Sequence, residues 1–397
     1  MSAAERTPAR QLVPFAALSA SYFAHIGFFN PYLSLWLKDL GLAVWLIGLM
    51  LSAQSLTRTF APYIWGWLSD HTGDRVRLMR WSAGVALLMS LGLAWHESVA
   101  WIVTVLLLMF IHTSAMMPMA EAAMAHLVSA GGQFDARLYG RVRLWGSVGF
   151  LVTVFIAGAW FEHRGMQDFP ALTWLTLLAV NLSVWRLPHR RDQVQAGQDK
   201  PSVLPMLLQP HNLSFFASVF FHVLAHFSIY VFFSLYLDAL GYGKLMIGVL
   251  WGVSVVVEIL AFYTQSRWLH HFTLTGWLLV CSALMVVRML MTAWGGEHLW
   301  LMLVAQCLHA LTFAVHHTAC TAWLTRYFPE RLRGRGQALY STIGYGLAGV
   351  IGAVGGSTLS GYWGLDGVFW ASVPIALLGT LFAWVLRRTA PFDHQLG

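Results

Sequence analysis

Long apolar runs recur along this chain, and they constrain its fold more than any other feature. A helix that crosses a bilayer needs about 20 apolar residues, with a range of about 17 to 25, and each run falls near this length. The chain is 58% hydrophobic and 10% charged, whereas soluble domains are about 25% charged. It is therefore predicted to be an all-α integral membrane protein. Twelve transmembrane helices are predicted, at residues 14–37, 43–68, 79–95, 99–125, 140–161, 169–187, 212–237, 244–266, 273–294, 298–325, 336–361 and 366–386.

Positive charge is distributed unevenly between the loops on the two sides of these spans. If the N-terminus is cytoplasmic, most of the 24 Lys and Arg residues lie in cytoplasmic loops. The loops on the outer side then keep only Lys38, Arg164 and Lys244. The positive-inside rule therefore predicts that both termini are cytoplasmic. The net charge of +7 reflects this topology and does not indicate nucleic-acid binding.

The longest polar stretch lies at residues 188–211 and separates six predicted spans from six. This position predicts an N-terminal six-helix half at residues 1–187, a cytoplasmic central loop at 188–211 and a C-terminal six-helix half at 212–397. Two six-helix halves around a central cavity form the layout of a major-facilitator transporter.

Two glutamates lie well inside predicted spans, although the chain contains 17 Asp and Glu residues. They are Glu121 and Glu258. A carboxylate in hydrocarbon costs several kcal/mol unless it is paired, protonated or wetted, so such residues usually mark ion or substrate pathways. Glu258 follows the outer end of the eighth span by about 14 residues, or about 21 Å, which puts it near the midplane. The two glutamates favour a proton-coupled transporter.

A charged motif with glycines joins the second and third spans. The run Gly66-Trp-Leu-Ser-Asp70-His-Thr-Gly73-Asp-Arg75-Val-Arg77 resembles the major-facilitator loop signature G-x-L-x-D-x-x-G-x-R-x-R. Gly66 would permit close helix packing and Gly73 a tight turn. Asp70 and the arginines could form a charge cluster that holds the cytoplasmic helix ends together in one state. The motif is predicted to be a gating loop, with a solvated positive-inside loop as the alternative.

A second motif spans the fourth and fifth predicted helices. Pro118-Met-Ala-Glu121, followed by Gly140-Arg141-Val-Arg143-Leu-Trp-Gly146-Ser-Val-Gly149, resembles the sugar-binding region of the lactose permease family. The resemblance implies that Glu121 and Arg143 contact substrate. Phe150 replaces the tryptophan on which those permeases stack a sugar ring. Glu121 and Arg143 also lie about 6–8 Å in depth from their connecting loop, so they could pair, either in substrate binding or as a structural ion pair.

The second half of the chain continues the likeness to lactose permeases. Arg288 and His309 fall where those permeases have a coupling arginine and histidine. Thr312 falls where they have the glutamate that carries the proton. Glu258 is predicted to replace that glutamate, so Glu258 and His309 are the predicted proton-coupling residues.

Three further segments resemble the 3-phenylpropionate permease family. They are Trp251-Gly-Val-Ser-Val-Val-Val-Glu258, Ala225-His226-Phe-Ser-Ile-Tyr230-Val-Phe232, and Pro31-Tyr-Leu-Ser-Leu-Trp36-Leu-Lys38. With the lactose-permease positions, this likeness implies that substrate contacts Glu121, Arg143, Phe150, His226, Tyr230 and Arg288.

Together these resemblances imply a symporter that imports a small, aromatic or otherwise apolar organic acid, such as 3-phenylpropionate, with protons by alternating access. Arg143 and Arg288 would hold the carboxylate, because a guanidinium matches it bidentately. A sugar or nucleoside proton symporter and a drug/proton antiporter are the alternatives within the transporter class. The resemblance also implies the inner (plasma) membrane of a bacterium.

The chain gives little indication of an enzyme or a cofactor. Its 3 cysteines lie in apolar runs and suggest neither a disulfide framework nor zinc. His222 and His226 share one helix face, as do His309 and His316, but a metal site needs several ligands that converge at short range. We therefore expect no enzyme activity, no cofactor, no metal and no nucleic-acid partner. The expected partners are a small-molecule substrate, protons and the lipid bilayer, with the protein a monomer. A metal-dependent membrane enzyme and a sensor on a transporter scaffold are the alternatives from other classes.

Overall fold

The computed structural model describes residues 8–114, 116–128, 136–189 and 202–391. These residues form helices and connecting turns, and no β-strand element occurs among them. The first part of the chain contains α1 (Pro8–Asp39), α2 (Val44–Thr72), α3 (Arg75–Ser90), α4 (Val99–Thr113), α5 (Met116–Val128), α6 (Ala136–Arg164) and α7 (Phe169–Trp185).

The second part begins with the short α8 (Leu204–Leu207) and continues with longer helices. These are α9 (Pro210–Ala239), α10 (Lys244–Thr264), α11 (Leu274–Trp294), α12 (Leu299–Cys307), α13 (His316–Tyr327), α14 (Glu330–Tyr340) and α15 (Ala348–Thr389). Two π-helical segments, Ala310–Val315 and Ser341–Leu347, join α12 to α13 and α14 to α15. Gly364 has a φ of 69° inside α15 and divides it into two helices.

Nine segments of the described chain are long and apolar enough to cross a membrane. The last of them, Leu332–Thr389, has 58 residues and bends at Gly364, so it contains two of the predicted spans. Every one of the twelve predicted spans coincides with helical structure. The prediction of an all-α membrane fold is confirmed.

The chain divides into two compact units. Unit 1 comprises Met1–Leu40 and Phe60–Gly197, and unit 2 comprises Gly41–Thr59 and Gln198–Gly397. The first part of α2 therefore groups with unit 2, a pairing that the sequence did not indicate. Most of the predicted central loop, residues 190–201, lies outside the described residues. The boundaries of the two predicted halves stay a prediction.

In unit 1, α1 packs against α6 and α7, and α3 packs against α4 and α7. Glycines on α6 permit the closest of these approaches. A Cβ added at Gly149 would overlap the backbone of Ala20 on α1, and one added at Gly146 would lie 2.7 Å from the Phe23 ring. Close backbone contact of this kind is how membrane helices gain packing energy where lipid supplies no hydrophobic drive. The α1–α6 contact fixes the position of the charged residues that α6 carries.

In unit 2, α9 is the most buried of the nine candidate membrane spans, and 72% of its most apolar 18-residue segment is buried inside the protein. It packs along α15, which in turn contacts α11. Here too glycines allow the approach, because a Cβ at Gly349 or Gly352 would lie within 3 Å of Phe227. Helices α10, α11 and α12 then bring their polar side chains together beside α9.

Candidate functional site

A cluster of buried polar side chains in unit 2 surrounds Arg288 on α11. Arg288 is 0% exposed, and its terminal nitrogens donate to side chains from three other segments. Nη1 lies 3.2 Å from His226 Nε2, 3.1 Å from His309 Nδ1 and 3.0 Å from Thr312 Oγ1. Nη2 donates to Gln306 Oε1 at 3.0 Å. Among the ion pairs of the described residues, none joins Arg288 to a carboxylate. A buried cation with neutral partners is costly, which is typical of a functional residue.

The arginine determines which nitrogen of each histidine carries a hydrogen. A guanidinium only donates hydrogen bonds, so His309 Nδ1 must accept and the neutral ring carries its hydrogen on Nε2. That Nε2 lies 3.5 Å from Glu258 Oε2. His309 therefore links Arg288 on one side to the carboxylate of Glu258 on the other. Glu258 is 21% exposed, so it remains accessible to a proton while Arg288 is closed off.

Sequence analysis predicted Glu258 and His309 as the proton-coupling residues, and the structure brings them together. It also places Thr312 beside Arg288, although Thr312 has no carboxylate. The predicted substrate contact of Arg288 stays a prediction. Both terminal nitrogens contact protein side chains and the residue is 0% exposed, whereas its Nε has no partner among the described residues. In this structure Arg288 contacts His226 and His309 directly.

Gln306 and Ser254 belong to this site but are missing from the sequence-based prediction. Gln306 Oε1 accepts from Arg288 and also from Ser254 Oγ at 2.6 Å. The two residues therefore join α12 directly to α10, and Gln306 also joins α12 to Arg288 on α11. Each lies about one helical turn before a predicted residue, Gln306 before His309 and Ser254 before Glu258. Each is a polar residue in an apolar run, one helical turn from a predicted site residue, and this pattern could have identified both from the sequence.

The backbone near His309 departs from the α-helix. Thr312 lies in the π-helical segment Ala310–Val315, which begins directly after His309. Such π-helical turns are rare and occur frequently at functional sites. The segment places His309 and Thr312 so that both reach Arg288.

Predicted substrate residues on α9 are only partly open. His226 is 2% exposed and stacks on Tyr230 with ring centroids 4.5 Å apart. Tyr230 is half-buried, so it is the accessible member of the pair. His222, one turn earlier, is buried and bonded to the Thr312 carbonyl at 2.8 Å, which is a structural role.

Unit 1 carries the other predicted substrate residues. The Arg143 guanidinium carbon lies 4.2 Å from the centroid of the Phe23 ring on α1, a cation–π contact. Arg143 is half-buried and lies next to Gly146. Phe150, two turns further along α6, packs against Gly27 of α1. Gly146 and Gly149 of the motif thus allow α6 to pack closely on α1, with Arg143 over an aromatic face.

Glu121 has a different partner from the one predicted. Its Oε1 accepts a hydrogen bond from the Tyr139 hydroxyl at 3.2 Å. Among the ion pairs formed by described side chains, none joins Glu121 to Arg143. The structural ion pair that the spacing suggested is therefore absent from this structure. Glu121 and Arg143 are both half-buried and available for contacts beyond those with Tyr139 and Phe23.

The predicted gating loop is a tight turn between α2 and α3. Gly73 has a φ of 65°, so the turn needs glycine as predicted. The close packing predicted for Gly66 is not seen, since a Cβ there meets nothing within 4 Å among the described residues. The side chain of Asp70 lies outside the described part of the chain.

Asp74, which was not among the predicted loop residues, makes two contacts at this turn. Its Oδ1 accepts from the Arg77 backbone N–H at 3.0 Å, which caps α3. Its Oδ2 lies 2.8 Å from His189 Nε2, beyond the end of α7. Asp74 therefore ties the start of α3 to the segment after α7. The roles of Arg75 and Arg77 in gating stay predictions.

Comparison with known proteins places these features in a family. A model of the MFS_1 like family matches residues 17–371. A protein from Escherichia coli (strain K12) described as a probable 3-phenylpropionic acid transporter is 29% identical, over 90% of this chain and 93% of its own length. A maltose permease from Geobacillus stearothermophilus is 24% identical, over 92% of each chain.

Solved structures give the same fold. The crystal structure of the nucleoside transporter NupG superposes with a TM-score of 0.78 at 14% identity, and it covers 96% of this chain and 99% of that chain. At this identity the likeness shows the fold and carries no information about substrate.

Proposed function

We propose that this chain, which belongs to the MFS_1 like family of membrane transporters, imports a small organic acid together with protons by alternating access. The observation that carries the proposal is the series Arg288–His309–Glu258. The carboxylate of Glu258 is accessible to a proton and lies 3.5 Å from Nε2 of His309. The buried Arg288 donates to the other ring nitrogen of His309, so that the ring hydrogen lies on Nε2, on the side of Glu258.

The charge of this site supports coupling to an anion. Within the series Arg288–His309–Glu258, an ionised Glu258 balances the charge of Arg288, and His309 is neutral in the tautomer that Arg288 imposes. A proton on Glu258 leaves the positive charge of Arg288 unbalanced. Unbalanced charge in a membrane interior costs several kcal/mol, and a bound carboxylate would offset it. Proton and organic anion are therefore expected to bind together, which is symport.

Two residues of unit 1 support an acid with an apolar body. Arg143 presents a guanidinium that is bonded to no carboxylate among the described residues and that already lies on an aromatic ring. Phe150 offers a flat apolar surface without the hydrogen-bonding nitrogen of tryptophan. The relative from Escherichia coli, described as a probable 3-phenylpropionic acid transporter, favours an aromatic acid.

A sugar or nucleoside proton symporter is the second candidate. The maltose permease relative favours it, and so does Glu121, whose half-buried carboxylate could accept hydrogen bonds from hydroxyl groups. No specific contact in the described part of the chain supports a drug/proton antiporter. In each case the protein is proposed to lie in the bacterial inner membrane as a monomer with cytoplasmic termini.

The substrate is tested by uptake into proteoliposomes that hold the purified protein. Labelled 3-phenylpropionate and maltose are compared, each with and without an uncoupler. We expect uptake of the acid that depends on an inward proton gradient, and no uptake of the sugar. Maltose uptake that the uncoupler abolishes, with no signal from the acid, would favour the second candidate.

Coupling is tested separately with Glu258→Gln. The variant keeps the shape of the side chain and accepts a hydrogen bond from His309, but it cannot take up a proton. We expect it to lose accumulation against a gradient while it retains exchange of substrate at equilibrium. Glu97→Gln, the same change at an exposed loop residue, is the matched control and should accumulate normally. Normal accumulation by Glu258→Gln would show that another group carries the proton.

A further inference from the structure

A cleft opens on unit 1 between the start of α3 and the end of α7. It has a volume of about 650 Å³ and is lined by Arg77, Arg80, Trp81, Gly84, Val85, Leu88, Trp185 and His189. The predicted topology puts this end of both helices at the cytoplasmic boundary of the membrane. None of the predicted substrate or proton-coupling residues lines the cleft.

One end of the cleft is cationic. Arg77 is exposed, and within the described side chains its guanidinium has no carboxylate partner. Arg80 is held in place, because its Nη2 donates to the carbonyls of Trp185 at 3.3 Å and Leu187 at 2.9 Å. Its guanidinium carbon also lies 5.2 Å from the Trp185 ring centroid. The lining contains no Asp or Glu, so this end attracts an anion.

Arg80 also has an unmet hydrogen-bonding group. Its Nε is buried and has no partner among the described residues. A buried donor without an acceptor is unfavourable, so the position favours a ligand or water that supplies an oxygen. The neighbouring carboxylate of Asp74 is occupied by His189 and by the cap of α3.

The rest of the cleft is apolar and faces outward. Trp81 is 68% exposed, Leu88 60% and Trp185 60%. Trp81, Val85 and Leu88 follow at helical spacing and form a strip along α3 away from the arginines. Tryptophan at such a level is typical of the membrane interface. The cleft therefore joins a cationic end to an apolar strip that runs toward the membrane interior.

We propose that this cleft binds an anionic phospholipid of the cytoplasmic leaflet. The phosphate lies between Arg77 and Arg80, and an acyl chain lies along Trp81, Val85 and Leu88. Basic pockets between helices on the cytoplasmic side are suited to anionic headgroups, and the fixed Arg80 lowers the ordering cost. The assignment is independent of which substrate the transporter carries.

The test measures lipid binding by delipidated protein in detergent. Phosphatidylglycerol and phosphatidylcholine with identical acyl chains are titrated, and bound lipid is counted by native mass spectrometry. We expect phosphatidylglycerol to bind at least tenfold more tightly to the wild type. Arg77→Gln should weaken that binding about fivefold, the loss of one interfacial arginine. Arg77 also belongs to the predicted gating loop, so binding is measured instead of transport.

Arg388→Gln is the matched control. Arg388 is exposed and also lies over a tryptophan, 5.2 Å from the Trp384 centroid, but outside the cleft. It should leave phosphatidylglycerol binding unchanged. An equal loss in Arg77→Gln and Arg388→Gln, or equal binding of the two lipids by the wild type, would overturn the proposal.

Trp81→Ala separates a lipid from a free anion. It removes apolar contact and no charge, so it should weaken phosphatidylglycerol binding by at least threefold. Inorganic phosphate at millimolar concentration should not displace the lipid. Displacement by phosphate, with no effect of Trp81→Ala, would show a simple anion site and contradict the lipid assignment.

Discussion

The motif glycines of α6 provide the sharpest test of how packing positions Arg143. A Cβ at Gly149 would lie 2.9 Å from the Ala20 carbonyl carbon and overlap its oxygen, and neither backbone atom can move independently. Gly140, in the same motif and helix, has nothing within 4 Å of an added Cβ among the described residues. Gly149→Ala and Gly140→Ala therefore make the same chemical change, and only the first meets an obstacle.

The magnitudes follow from two opposing effects. Alanine gains about 1 kcal/mol over glycine in a helix, and this gain applies to both variants. Overpacking costs about 1–3 kcal/mol, and a rigid backbone obstacle puts Gly149→Ala toward the upper end. The free energy of unfolding of Gly149→Ala should therefore fall about 2–3 kcal/mol below that of Gly140→Ala. For a unit of about 150–250 residues this corresponds to a melting temperature about 5–10 °C lower.

The assay combines thermal unfolding in detergent with equilibrium binding of 3-phenylpropionate. Gly149→Ala should unfold earlier and also bind more weakly, because α6 carries Arg143 away from its place over Phe23. Gly140→Ala should match or exceed the stability of the wild type and bind normally. Equal melting temperatures for the two variants would refute the packing argument. If Gly149→Ala is less stable but binds 3-phenylpropionate with unchanged affinity, the position of Arg143 does not control substrate binding.

Three further predictions concern single side chains. Arg143→Lys should weaken binding of 3-phenylpropionate about tenfold or more, because lysine keeps the charge but loses the planar fork, and a binding titration measures this. Asp70→Asn should slow initial uptake without changing the order of preferred substrates, because the loop is expected to act on the conformational equilibrium and not on substrate. Uptake rates for a panel of acids measure both effects. Thr312→Val should lower the free energy of unfolding by less than about 1 kcal/mol. Nη1 of Arg288 has two N–H groups for three acceptors, so both can stay bonded to His226 and His309 when the threonine hydroxyl is removed. Thermal unfolding of the variant and the wild type measures the difference.

The sequence determined the fold class and the family. Hydrophobic length and charge distribution act locally along the chain, so helices could be located from sequence, and the helical structure and the family match confirm the fold class. The turn at Gly73 was predictable for the same reason, since it depends on one residue's backbone freedom. Glu258 stood out because a carboxylate in an apolar run has few structural explanations.

The tertiary structure decided which side chains meet. Spacing suggested that Glu121 pairs with Arg143, but Tyr139 and Phe23 are their partners in the folded unit. Sequence predicted that Arg288 contacts substrate, and the structure shows in addition that Arg288 is buried and bonded to His226 of α9 and Gln306 of α12. The depth of a residue along its helix follows from residue count. The direction in which its side chain points, and the helix that it contacts, depend on packing over the whole unit, so packing selects the partner of each side chain.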